Sequence, residues 1–149
     1  MRKTVLFTFA AAALAGCDFS GGSDAVAPIS TLKASNLPAA TGASADLFFE
    51  VQDATGRAYY RSDVQQGAST ADIQISLPEG VSVPSPASRM YVAVYDFENT
   101  TLESDLLARS TGFTAADLGA APLVLEDAPF LNAGNTEATF TVTGSGAAQ

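Results

Sequence analysis

Four carboxylates, Asp96, Glu98, Glu103 and Asp105, fall within ten residues of each other in the stretch VYDFENTTLESDLLA, between two apolar runs. Acids at this density hold a hard divalent cation, exchange protons as an acid–base pair, or stay hydrated on a surface. Calcium takes six to eight oxygens at roughly 2.3–2.6 Å in tolerant geometry. Asp96 and Glu98 are two residues apart, so on leaving a strand they point to one side and can converge. Without a cation such clustering is costly, because like charges disfavour each other's ionisation. Glycosidase-type acid–base chemistry needs a substrate cleft between its carboxylates, and no segment of the sequence marks one. A hydrated acidic loop stays open beside the cation reading, since the chain carries 16 acidic side chains against 7 basic.

The elements around these acids read as sheet. Residues 71–77 (ADIQISL) and 137–143 (EATFTVT) alternate apolar with polar, and 90–97 (MYVAVYDF) is apolar on both faces, as a central strand would be. Strands are also predicted over 29–35, 46–52, 57–64, 105–112 and 123–125, with one helical turn at 114–118. Asp53-Ala54-Thr55-Gly56 has hairpin chemistry, and 78–89 is a Pro-rich connection. About eight short strands between Gly, Pro, Asn and Ser clusters predict an all-β fold, an antiparallel β-sandwich. If successive strands run up and down, loops 36–45, 65–70 and 97–104 share one end, which brings Asp46 to the same rim as the 96–105 acids. The hairpin and the Pro-rich stretch then lie at the other end.

The first residues have a separate logic. Arg2 and Lys3 precede the apolar run VLFTFAAAALA and then Cys17, the chain's single cysteine. A short positive region, an apolar core and small residues before a cleavage point describe an export signal. Leu14-Ala15-Gly16-Cys17 resembles the lipobox of bacterial lipoproteins. That resemblance implies cleavage of residues 1–16, acylation of Cys17 (palmitate and related chains), and a membrane anchor made of lipid in the bacterial cell envelope. Residues 17–28 then form the lipidated Cys and a flexible tether, 29–144 one domain, and 145–149 a frayed tail.

Composition excludes several functions. Loss of Arg2 and Lys3 leaves 5 basic against 16 acidic side chains, a net charge of −11 where the whole chain has −9. Such a surface repels nucleic acid and anionic headgroups. Without histidine, with its cysteine reserved for lipid and Lys33 its only remaining lysine, the chain is not expected to be an enzyme. Ser30 and Ser35 near Lys33, and the Asn99-Thr100-Thr101 acceptor pattern, read as surface and loop composition. Phe48, Phe49, Tyr59 and Tyr60 read as sandwich packing.

With the loops placed, the chain resembles the C2 domain family over residues 29–113. LKASNLPA (32–39) is similar to the family's opening strand and its exit, SADLFFEV (44–51) to the next element, and YVAVYDFENTTLESD (91–105) to its third loop. The resemblance implies a calcium site, with Asp46 as an acid of the first loop, Asp96 and Glu98 as the paired acids of the third, and Asp105, or else Glu103, as the distal one. It also implies phospholipid as a ligand, beside an envelope protein or glycan. The departures are Thr41 where an acid is usual, Glu98 for Asp, Leu47 for Pro, and a third loop one residue longer. They imply a weakened, single-ion or lost site. Two functions follow: a lipid-anchored, monomeric, non-enzymatic binding module, or a structural or adhesive sandwich with a metal-free rim.

Overall fold

The computed structural model describes residues 24–38, 45–98, 103–128 and 137–144. Its strands are β1 (Ala25–Ala27), β2 (Ile29–Ser35), β3 (Ala45–Gln52), β4 (Ala58–Arg61), β5 (Gln65–Ala68), β6 (Asp72–Ser76), β7 (Val81–Val83), β8 (Tyr91–Glu98), β9 (Glu103–Arg109), β10 (Leu123–Glu126) and β11 (Thr139–Gly144). A 3-10 turn at Ala115–Asp117 falls inside the predicted 114–118 turn. Two antiparallel sheets, ordered β10-β11-β2-β6 and β4-β3-β8-β9 with β5 also on β3, face each other, and β1 pairs with β7 beside them. This is the expected β-sandwich.

Alternation decides which faces meet. Leu32, Ala34, Ile73, Phe140 and Val142 from one sheet pack against Leu47, Phe49, Val51, Val92 and Val94 from the other. Ile29 is also fully buried although it lies three residues from Leu32. A register shift between Thr143 and Gly144 accounts for this. It leaves Ser30 as an extra residue in β2, and the Ser30 hydroxyl donates to the Thr143 carbonyl at 3.0 Å. The apolar 90–97 stretch forms central strand β8, whose Val92, Ala93 and Val94 are all fully buried.

The predicted strand 57–64 is a correction: within it only Ala58–Arg61 is strand, and pairing resumes at Gln65–Ala68, in the stretch 65–70 expected as a loop. The Ser62 hydroxyl accepts the Phe49 N–H at 2.9 Å, a place a ladder carbonyl would take, and donates to the Asp63 carbonyl at 2.9 Å. A side chain that serves its own ladder position releases the backbone to turn away. The same device ends the pairing of β9. Ser110 Oγ accepts the Val92 N–H at 2.9 Å and donates to the Thr111 carbonyl, also at 2.9 Å. Predicted strand 105–112 therefore begins earlier, at Glu103, and stops at Arg109. Ser110→Ala is expected to cost about 1–3 kcal/mol, because it strands the Val92 N–H at a fully buried position. Urea unfolding measures this, and an unchanged midpoint would show that the hydroxyl is dispensable.

Two further corrections concern segments read as irregular. Ala25–Ala27 lies inside the stretch read as tether, yet it pairs with Val81–Val83, and Ala27 is fully buried. Its partner lies inside the Pro-rich connection. Gly80, at φ +71°, lets the chain turn beneath β1: a Cβ there would sit 2.6 Å from the Ala27 carbonyl oxygen. The hairpin at 53–56 forms as expected. Asp53 Oδ1 accepts from the Thr55 hydroxyl (2.6 Å), the Thr55 N–H (2.8 Å) and the Arg57 N–H (3.0 Å), led by the hydroxyl in holding this carboxyl below its ordinary value.

Candidate functional site

Antiparallel pairing of β3, β8 and β9 fixes the rim. Leu47 stands opposite Asp96, and Asp96 opposite Asp105, so the acid of the third loop is flanked by the strand that begins beside Asp46. The Asp46 N–H donates to Asp96 Oδ1 at 3.1 Å, joining residues 50 apart in sequence. The Asp46 carboxylate in turn accepts the Gly67 N–H at 3.0 Å, across the β3–β5 pairing. The 36–37 segment reaches the same end, with the Asn36 and Leu37 N–H groups donating to the Ala71 and Thr70 carbonyls. The loops that chain direction predicted to share one end therefore do share it where they are described.

The acids differ in setting. Asp96 is 8% exposed, Asp46 half-buried and Asp105 exposed. Asp96 and Asp105 are direct cross-strand partners, an unfavourable placement for like charges. The Asp46 N–H on Asp96 offsets part of this, and the Asp46 carboxylate has the Gly67 N–H. A carboxylate has about four acceptor positions, so each retains oxygen lone pairs for another partner. Glu98 and Glu103 stand opposite each other in the β8–β9 ladder, while their side chains, with Thr41 and Leu102, lie outside the described residues. Among the described residues no group of three or more His, Cys, Asp or Glu is placed to hold a metal. Asp46 and Asp96 are brought together; with Asp105 they do not make a complete coordination shell.

Gly67 is the rim residue that sequence reasoning missed. It sits at φ +63° in QQGA, a stretch read as loop, and that turn presents its N–H to Asp46. The available signal was a lone glycine in a polar run near a strand start.

On the outer face of the same sheet, Phe48 stacks on Tyr95 with ring centroids 5.2 Å apart and planes 10° from parallel. The Arg61 guanidinium lies 4.3 Å above Phe48 while its Nε contacts Glu50 Oε1 at 3.0 Å. Gln52 Nε2 donates to Glu50 Oε2 at 2.6 Å and to the Tyr95 hydroxyl at 2.7 Å. Arg109 lies 4.2 Å above Tyr91 and donates from Nη2 to the Asp53 carbonyl at 2.6 Å. Both arginines are engaged with their own sheet and the turn beside it. Lys33 is likewise paired, with Asp72 at 3.1 Å, and the Ser30 hydroxyl serves Thr143 instead of Lys33.

No family model and no curated protein matches the sequence. Among solved structures the chain is similar to BON1-C2B, with a TM-score of 0.51 and 17% identity over 85% of this chain and 95% of that one. It is also similar to a C2 domain of plant Extended Synaptotagmin 1, with a TM-score of 0.44 and 11% identity over 78% of this chain and 94% of that one. The fold is C2-like. In this C2-like frame the acidic rim is the end where β3 begins and where β8 passes to β9, the end the sequence had marked.

Proposed function

We propose that this chain is an exported bacterial lipoprotein, acylated at Cys17, whose C2-like domain is a non-enzymatic binding module at the cell envelope. Its acidic rim binds calcium through Asp46 and Asp96, completed by Glu98 and by Asp105 or Glu103, and takes its ligand there. Phospholipid, an envelope protein and a glycan are the ligand classes to be screened. The observation that carries this reading is the 3.1 Å hydrogen bond from the Asp46 N–H to Asp96, which sets two acids from distant segments side by side.

Thermal unfolding with and without millimolar calcium tests it. A ligand that binds only the folded state at 100 times its dissociation constant adds about 2.7 kcal/mol, and a rise in melting temperature is expected. Asp96→Asn keeps the acceptor oxygen for the Asp46 N–H while removing the charge, so it is expected to lose the calcium response and still fold. No shift at millimolar calcium would sink the metal site.

The second reading, a structural or adhesive sandwich with a metal-free rim, draws on the two backbone N–H groups already bound by these acids. It predicts that Asp96→Asn is more stable than the wild type without calcium, and that ligand binding is unchanged.

A further inference from the structure

The strand register also fixes where the chain enters the domain. Asp24 lines a cleft with Arg57, Ala58, Tyr59 and Ser82. Ala58 pairs with Gln52, and Gln52 pairs with Tyr91, so Asp24 lies at the level where β8 begins. The acidic rim is at the other end of that strand. Glu98 is seven residues beyond Tyr91, about 23 Å at 3.3 Å per residue.

Beside the entry point is an apolar groove, lined by Val26, Pro28, Pro86, Ala87 and the 114–116 turn. Val26 is 61% exposed in it, and none of these lining residues carries a charge. Such a face is unusual on a chain of net charge −9.

We propose that the domain docks through this groove on the bilayer that holds its own acyl anchor, with the acidic rim turned away from that membrane and toward a protein, a glycan or the phospholipid of a second membrane. The proposal rests on the lipidation of Cys17 proposed above. Seven peptide steps separate Cys17 from Asp24, and even a fully extended chain spans only about 25 Å over that distance. Rim-first docking lifts Asp24 by about 23 Å above the headgroups. That takes up nearly the whole reach of the connection, whereas a flexible chain of seven residues averages only about 15 Å end to end. Docking through the Val26 groove instead leaves Asp24 at the lipid surface, where the short connection suffices. Charge points the same way: the groove lining that meets the bilayer is uncharged, with Asp24 and Asp117 at its margin offset by Arg57 and Arg89, and the clustered rim acids that anionic headgroups would repel are farthest from it.

The test uses full-length acylated protein in phosphatidylcholine vesicles containing spin-labelled phosphatidylcholine as a quencher. Acylation blocks Cys17, so a thiol-reactive fluorophore reports only an introduced cysteine. Ala87→Cys places it at the groove and Gln66→Cys at the rim end, both at exposed positions. The label at 87 is expected to lose most of its emission and the label at 66 to keep it. Val26→Asp is expected to abolish the quenching at 87 while the melting temperature holds. Quenching at 66 equal to or stronger than that at 87, or quenching at neither, overturns the orientation. Mass spectrometry of the same samples separates the two ideas: an unmodified Cys17 overturns the lipoprotein reading and the proposal with it, whereas an acylated Cys17 with a quenched rim overturns the orientation alone.

Discussion

Cys17→Ser is expected to move the protein from the membrane fraction to the soluble fraction. Each buried methylene of an acyl chain contributes about 0.8 kcal/mol, and one chain binds only marginally, whereas two or more anchor stably. Removing the attachment atom removes all of them at once. Residues 18–149 supply no comparable electrostatic hold on lipid: they carry 5 basic side chains, of which Arg61 and Lys33 are paired with Glu50 and Asp72. Fractionation of cells producing wild type and variant, with a high-salt wash, reads the effect. Retention of Cys17→Ser on membranes after that wash would place the attachment elsewhere. Circular dichroism of the released variant should be that of the intact sandwich, because the described core begins at Ala27.

Phe49→Ala is expected to destabilise the domain by about 3–5 kcal/mol, a large share of the roughly 5–15 kcal/mol that holds a domain together. Phe49 is fully buried on central strand β3 and faces the opposing sheet, so the vacated volume is walled by rigid strands from both sides. Phe48→Ala makes the useful contrast. Phe48 is almost as inaccessible, at 1% exposure, but it lies on the outer face under the Arg61 side chain, which is itself 59% exposed. That arginine can settle into the space Phe48 leaves, so its truncation is expected to cost less than half as much. Guanidinium unfolding of the two variants decides the matter. Equal losses would mean that the outer face is packed as rigidly as the core.

Much of this was legible because the signals were local. Alternation over 71–77 and 137–143 reports which side chains leave water, and it placed Ile73, Phe140 and Val142 in the core. The turn at 53–56 followed from residues whose side chains bond their own backbone, as Asp53 does. Chain direction then put Asp46 beside Asp96 without any measured distance, because antiparallel succession leaves little freedom over which end a loop occupies. The proposed export signal and acylation site rest on order and residue type alone.

The tertiary structure decided what depends on partners remote in sequence. Ala25–Ala27 and Val81–Val83 are too short to display a period, and each becomes a strand only because the other lies against it. Residues 57–64 carried a continuous strand pattern, but a hydroxyl at Ser62 replaced one ladder bond and the strand stops at Arg61. Gly67 was an ordinary loop residue until folding aimed its N–H at a carboxylate 21 residues away. The pole at which the chain enters, opposite the acids, also came only from pairing register. Composition and periodicity describe what each residue prefers; which N–H meets which oxygen is set by the packing of two sheets, where one partner is chosen from many of equal local merit.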